Sequence, residues 1–369
     1  MRTLIFILLL YLSKSLCGYE FENVKSVTCE LDSSYGKIFY QSAVYNPKKE
    51  SIFFIAKSGR DLNKKVKRVC SFNLSGNFLG TIGKINSFEA GGYVDPFRLS
   101  SFDNRINIYD IKAKRVTSFN IDNFSSEKLI YLEKSAANCE SFFLRDDKFY
   151  ASNNNCVFSS LNSGIVYKIR ELEIKNNYEL DEYITFDDCT PFRKFYGFEG
   201  ELPKDPLISS NEIYKTLSLY QKTYYAPTDS GYFAVNGFGS ILYQFDINDS
   251  LTNTYHLKSM KKFRESEKKV FKNFSKNPIN RLSSISSIFY DPKGNNLYIV
   301  VNHISKKIKK EFGSSFSMLT FSLDSGKEKF EAIPDGFIGI KDGLFIGFKK
   351  SDLGNTSITF SKLLSEDKK

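Results

Sequence analysis

The sequence predicts an all-β protein, a six-bladed β-propeller of four-stranded antiparallel blades with one basic helical insertion. Three observations lead there. A polar turn precedes a compact apolar strand six times, at Ser51 to Ile55, Arg105 to Tyr109, Lys148 to Ser152, Gly231 to Val235, Asn296 to Val300 and Gly343 to Gly347. These anchors are spaced by 54, 43, 83, 65 and 47 residues, and the shorter gaps suit a propeller blade of about 40 to 50 residues. A second strand follows most anchors: Lys67 to Leu74 and Lys114 to Ile121 agree at six of eight positions, and Ser240 to Ile247, Ser317 to Leu323 and Ser357 to Ser361 are looser relatives. Each unit is too small to bury its own faces, so several must stack around an axis. A closed ring also shields edge strands from further pairing.

Composition supports this class. The 369 residues are 41% apolar, enough for a core, and Phe (35) and Tyr (22) suit pleated surfaces.

In chain order, the first segment is a leader. Arg2 supplies a positive charge, Leu4 to Leu12 an apolar run, and Ser13 to Gly18 small residues for cleavage, so residues 1–17 read as a secretory signal and 18–369 as the propeller. The apolar run is short of the roughly 20 residues a membrane span needs. No later stretch reads as a transmembrane helix. The mature protein is therefore expected outside the cytoplasm, secreted, periplasmic or at the cell surface. Cys17 has two readings: a lipid anchor, against which Lys14-Ser15-Leu16 departs from the small residue a lipobox wants before the cysteine, or cleavage after Cys17.

Cleavage after Cys17 leaves five cysteines, Cys29, Cys70, Cys139, Cys156 and Cys189. Cys139 and Cys156 flank the hairpin around Arg145-Asp146-Asp147 and form the first disulfide candidate, and Cys29 with Cys70 the second. With only His256 and His303 in the chain, a histidine-rich metal site is excluded.

The stretch Ile82 to Ile121 is the clearest copy of the repeat: a glycine-rich entry, an alternating strand, a charged turn and a second alternating strand. Ile82-Gly83-Lys84, Gly91-Gly92-Tyr93, Pro96-Phe97, Ile106 to Asp110, Arg115-Val116 and Phe119 resemble the NHL-like six-bladed β-propellers common among exported bacterial proteins. The family motif Ile-Gly-x-x-Gly-x-Gly-Pro-Gly-Glu-Tyr departs here in lacking Pro and Glu before Tyr93 and glycines across Ile85 to Ala90. The resemblance implies fold more than function.

Two wide gaps are insertions. The first, about 153–228, carries Asp187-Asp188-Cys189 and Phe195 to Gly200, which either line a ligand mouth or belong to a wide blade with long loops. The second, about 255–283, carries Lys258, Lys261, Lys262, Arg264, Lys268, Lys269, Lys272 and Lys276 against Glu265 and Glu267, a net of +6. Met260, Phe263, Val270, Phe271 and Phe274 recur at helical spacing, so the segment reads as a basic amphipathic helix, either a polyanion- or membrane-binding element or a solvated helix packing its Phe residues on the propeller. The strand Lys37 to Tyr45 and the strand Ser357 to Leu364 are expected to share one blade and close the ring.

The formal charge of +10 falls to +8 without Arg2 and Lys14, and no nucleic-acid motif accompanies it. There is no G-x-S-x-G elbow, P-loop, H-E-x-x-H or EF-hand loop. His256 and His303 read as surface residues, and Asp146-Asp147 and Asp187-Asp188 as turn chemistry. Sequons at Asn73, Asn123, Asn248, Asn273 and Asn355 are glycan acceptors only in a eukaryotic secretory protein. The reading is a binding module for a protein, glycan or small molecule. Its rivals are a hydrolase or lactonase-like enzyme with calcium in the central channel, and polyanion or membrane attachment through the basic insertion.

Overall fold

The computed structural model describes residues 21–31, 37–58, 66–132, 137–153, 162–171, 177–188, 223–237, 240–261, 283–303, 315–350 and 355–363. The leader and Cys17 lie outside them. The chain opens with β1 (Phe21–Cys29), β2 (Lys37–Asn46), β3 (Ser51–Ser58), β4 (Val66–Asn73) and β5 (Phe78–Ile82). The short strands β6 (Lys84–Ile85) and β7 (Gly92–Tyr93) pair in parallel. Next come β8 (Pro96–Phe102), β9 (Arg105–Asp110), β10 (Arg115–Asn120), β11 (Ser126–Tyr131), β12 (Ala137–Arg145), β13 (Lys148–Asn153), β14 (Asn162–Glu171) and β15 (Asn177–Asp188). The second half holds β16 (Thr223–Thr228), β17 (Gly231–Asn236), β18 (Ile241–Asp246), β19 (Leu251–His256), β20 (Ser284–Asp291), β21 (Asn296–Asn302), β22 (Phe316–Ser322) and β23 (Glu328–Glu331). It ends with β24 (Phe337–Lys341), β25 (Leu344–Lys350) and β26 (Thr356–Leu363).

The fold is an all-β propeller of four-stranded antiparallel units. The units are β2 to β5, β8 to β11, β12 to β15, β16 to β19, β20 to β23, and β24 to β26 with β1 on the outer edge. Every anchor read from the sequence is the second strand of such a unit, and the relatives of Lys67 to Leu74 are third strands. The larger sheets nevertheless number five where six were expected, because Leu129 to Tyr131 of β11 pair in parallel with Asn177 to Glu179 of β15 and fuse two units into one eight-stranded sheet. The cause is the length of the β14–β15 hairpin. It runs past the Lys148–Lys168 pair where β13 begins, so the start of β15 reaches the neighbouring edge.

The first strands touch in order, β2 beside β8, then β12, β16, β20 and β24, and β24 lies beside β2 again. They enclose a central axis. Closure uses a different N-terminal strand from the one expected: β1 pairs with β26 from Phe21–Leu363 to Cys29–Thr356, while Lys37–Asn46 is an innermost strand. Pairing over eight residues needs a long strand, and Phe21–Cys29 supplies it.

Stacked units bury both faces of the second strands, which is why these read as unbroken apolar runs. In β3, Ile52 and Phe54 pack with Phe72 of the same unit and with Phe348 and Ile358 of the closing unit, while Phe53 and Ile55 pack with Leu99, Ile106 and Ile108 of the next. The alternation follows from the period of two along a strand. Phe54 and Phe72 stack at 5.0 Å between ring centroids, and Phe54→Ala would cost about 3–5 kcal/mol as a buried aromatic truncation.

At the face where first strands end, polar groups stitch neighbours together. Asn46 Nδ2 donates to Ser101 Oγ at 2.7 Å and Asp103 O at 2.8 Å, Lys341 pairs with Glu50 at 2.6 Å, and Arg145 donates to the carbonyls of Thr228 and Gly231.

The basic helix expected over Lys258 to Lys276 is not what the described residues show: they form one helical turn, 258–261. Met260 is fully buried beside Leu242, Ile285 and Leu319, and Glu328 caps the turn, accepting from the amides of Lys258 and Ser259 at 2.7 and 2.6 Å. Lys262, Arg264, Lys268, Lys269, Lys272 and Lys276 lie outside the described residues. No helix among the described residues is long and apolar enough to cross a membrane.

Candidate functional site

All first strands start at one face of the ring, and most are irregular close to that start. The register slips between Phe39 and Val44 in β2, Pro96 and Arg98 in β8, Asn138 and Phe142 in β12, Ile285 and Ser287 in β20, and Phe337 and Gly339 in β24. Strand β16 has no slip. Bulges re-aim side chains and gather next to sites. Several bulged residues here lace the units. Tyr40 Oη lies 3.2 Å from Thr356 Oγ1, Ser42 Oγ donates to Phe97 O at 3.3 Å, and Ser141 Oγ accepts from the Tyr225 amide at 3.3 Å.

Between the first two units, this face is cationic and aromatic. Lys37 of β2 stands opposite Lys57 of β3, and Lys57 opposite Lys67 of β4. Directly paired residues share a sheet face, so three ammonium groups stand in one row on the side facing β8. Lys57 Nζ lies 5.9 Å from the Phe39 ring centroid. Lys67 pairs with Asp95 and donates to Pro96 O at 3.3 Å. On the other side of β8, where Arg98 pairs with Tyr109, the Arg98 guanidinium lies 4.5 Å from the Phe97 centroid.

The next unit treats its charges differently. Arg115 is buried and donates to the carbonyls of Phe88, Gly92, Ser87 and Glu89 at 2.5, 2.9, 3.1 and 3.3 Å. Its strand neighbour Asp110, also buried, accepts from the amides of Val94, Lys112, Ala113 and Asp95 at 2.6, 3.0, 3.0 and 3.2 Å. The Tyr93 hydroxyl accepts from the Val69 amide at 2.9 Å. Thus Gly92, Tyr93, Asp110 and Arg115, part of the most motif-like stretch of the sequence, clamp the linker between two units.

His303 overturns its reading as a surface residue. It is fully buried, with Nδ1 2.9 Å from Ser283 Oγ and Nε2 2.8 Å from Ser317 Oγ. A neutral imidazole has one N–H and one lone pair, so one serine accepts and the other donates. A hydroxyl beside an imidazole is the geometry of an activated nucleophile. Here both serines are at most 1% exposed, and the trio joins the ends of β20, β21 and β22 instead.

The cysteine candidates also change. Cys29 and Cys70 are free thiols, not a disulfide. Both sit in the core among Ile52, Phe72 and Ile358, acting as small apolar groups, and burial pushes each thiol up to about 11. Cys139 is buried with Val116, Phe142 and Phe149; Cys156 lies outside the described residues. His256 ends β19 at an exposed position. Asp146 turns the chain between β12 and β13 with φ of 51°. Among the described residues no group of three or more His, Cys, Asp or Glu side chains is placed to hold a metal ion.

No protein-family model and no curated protein sequence matches the chain. Solved structures do. A member of the DUF4221 family from Bacteroides vulgatus is similar with a TM-score of 0.54 and 10% identity, over 94% of this chain and 98% of that one. A protein from Bacteroides fragilis described as exported is similar with a TM-score of 0.52 and 13% identity, over 95% of this chain and 96% of that one. At such identities the likeness shows the fold alone.

Proposed function

We propose that the chain is an extracytoplasmic binding module, a six-bladed propeller of NHL-like type that takes its ligand at the face where the first strands start. The count of six treats the eight-stranded sheet as two blades joined at their outer edges, in keeping with the ring of first strands. The leader pattern and the exported neighbour support the location.

The observation that carries the reading is the chemistry of that face between the first two units. Lys37, Lys57 and Lys67 stand there with Phe39, and Asp95 is paired with Lys67. Cations over aromatic rings suit recognition; hydrolysis at a bound cation would call for gathered carboxylates.

The test is a titration of the mature protein against neutral and acidic oligosaccharides and peptides, repeated with Phe39→Ala and with Lys48→Ala/Lys49→Ala on the opposite face. Binding lost in the first variant and kept in the second is expected. The reverse pattern, or no binding by any probe, refutes it. N-terminal sequencing of the exported protein is expected to begin after Cys17; a lipidated Cys17 would show a membrane-attached module instead.

A further inference from the structure

Charge is divided between the two faces of the ring. In each antiparallel unit the connections after the second and fourth strands lie at the face where first strands start, and those after the first and third strands at the opposite face. With 83–95 taken as one connection and every carboxylate counted, paired or not, the connections at the first-strand face carry a net +10 and those at the opposite face a net −5. Much of the positive charge lies in connections outside the described residues, of which the strands fix only the ends. The negative charge recurs from unit to unit: Asp103, Asp146, Asp229 and Asp342 all stand in turns from a first to a second strand. Turns on both faces reach water alike, so folding does not call for this division.

The first-strand face also raises apolar side chains. The loop between β6 and β7 presents Phe88, which at 62% is the most exposed large apolar side chain among the described residues, and the turn between β9 and β10 presents Ile111. Arg115 holds the carbonyls of Ser87, Phe88 and Glu89, so the loop backbone is fixed while the ring stands out. Lysines flank both tips. Lys84 reaches across the loop to Glu89 at 3.0 Å, and Lys112 and Lys114 follow Ile111 in its turn.

We propose that this face docks on an anionic lipid bilayer, with Phe88 and Ile111 entering the headgroup layer and the flanking lysines meeting lipid phosphates. Exposed lysines are spread around the ring, at Lys37 in the first unit, Lys112 in the second, Lys258 before the fifth and Lys350 in the closing one. An extended surface engages them together, whereas a single acidic chain or a small anion engages only part of the set. A loop tip already held rigid gives up little freedom on insertion. The acidic opposite face turns the molecule so that the basic face leads. The inference goes beyond the binding-module reading and needs no soluble ligand.

The chain contains no tryptophan, so a single introduced one reports its own surroundings. The mature protein carrying Phe88→Trp is titrated with vesicles of phosphatidylcholine and phosphatidylglycerol in equal parts, and with vesicles of phosphatidylcholine alone. The expected result is an emission shift to shorter wavelength on the mixed vesicles, binding at least tenfold weaker to phosphatidylcholine alone, and weakening as salt rises. Ile247→Trp, in an exposed turn of the opposite face, should show no shift. In co-sedimentation Lys112→Glu/Lys350→Glu is expected to lose at least tenfold in affinity and Phe88→Ser/Ile111→Ser several-fold. Lys293→Glu/Lys327→Glu, with the same change in net charge on the opposite face, should keep it. No binding to the mixed vesicles, equal shifts from the two tryptophan positions, or equal losses in the two lysine pairs would overturn the proposal. So would dextran sulfate displacing the vesicles while Phe88→Ser/Ile111→Ser binds them undiminished, which would assign the face to an acidic polymer. A soluble ligand that is lost in Phe39→Ala, with no vesicle binding, would sink this inference and leave the binding-module reading standing. An unchanged far-UV spectrum and unfolding midpoint in each variant excludes loss through misfolding.

Discussion

Asp249 offers the sharpest test of how the units hold together. It sits in the turn between β18 and β19 with φ of 66°, and its side chain is wholly buried. The carboxylate accepts from the Tyr150 hydroxyl at 2.9 Å and pairs with Lys148, whose side chain is 19% exposed. Both partners belong to the preceding sheet, so this side chain joins two units that Arg145 and Ser141 also link. Burial and then the Asp249 charge push the Tyr150 phenol well above its ordinary range, so it remains a donor throughout the accessible pH range. Replacing Asp249 with Ala strands a buried hydroxyl, worth about 1–3 kcal/mol, and an ammonium that reaches water only in part. Breaking a fully buried pair costs about 3–5 kcal/mol. Allowing for the partial exposure of Lys148, about 2–4 kcal/mol is expected for Asp249→Ala, read as a fall in the urea midpoint with an unchanged slope. Asp249→Asn keeps the shape and should lose less. A double-mutant cycle with Tyr150→Phe should show coupling. The exposed pair Lys48–Asp103 is the control, and Lys48→Ala should leave the midpoint within error. A cost below about 0.5 kcal/mol for Asp249→Ala would refute the claim that this contact joins the units.

Other outcomes follow from the same structure. Gly83 has φ of 71°, and a Cβ there would lie 2.8 Å from the Phe119 ring, so Gly83→Ala should cost about 2 kcal/mol or more; Gly326, at φ of 64° with open space around it, should lose only the backbone component of about 1 kcal/mol, and equal losses by urea denaturation would contradict the packing argument. Cys29 and Cys70 keep their protons in the folded state up to about 11, above the ordinary thiol near 9, so their stabilising contribution is complete below pH 9 and is lost between pH 9 and 11 at about 1.4 kcal/mol per pH unit per thiol. A melting curve flat across that window, or rapid alkylation of the native protein at pH 8, would show the thiols to be accessible. Removing the last ten residues cuts into β26, which pairs with both β1 and β25, so the main unfolding transition should fall or vanish; an unchanged transition would mean that the ring does not need this closure.

Much of the fold was legible because its signals are local. Ile52 to Ile55 and Asn296 to Val300 announce buried strands by composition alone, and Lys67 to Leu74 and Lys114 to Ile121 repeat because the same positions do the same work. Phe72 and Phe119 fill the core, while Asn73 Oδ1 accepts from the amides of Ser75 and Asn77 at 3.0 and 2.9 Å and Asn120 Oδ1 from Asp122 at 2.8 Å, turning the chain into the fourth strand. The closing strand was misplaced because nothing in Phe21–Cys29 marks it as an edge: its exposed, mixed composition is what an outermost strand tolerates. The fusion of two units could not be read either, since it depends on how far the β14–β15 hairpin overshoots its neighbour.

The candidate site lay beyond local signals for a related reason. The motif-like residues of the sequence, the glycine-rich entry and Arg115, are architecture, because a linker that must cross from one unit to the next exposes carbonyls and amides that Arg115 and Asp110 satisfy. Lys37, Lys57 and Lys67 drew no notice, since each is an ordinary lysine near a strand end in a lysine-rich chain. Only the pairing register puts them side by side. In a repeat fold the motif that recurs is therefore the one to assign to structure first. A departure from the repeat, here three lysines in a row whose counterpart in the fifth unit is Ser284, Asn302 and Phe316, is where a ligand should be sought.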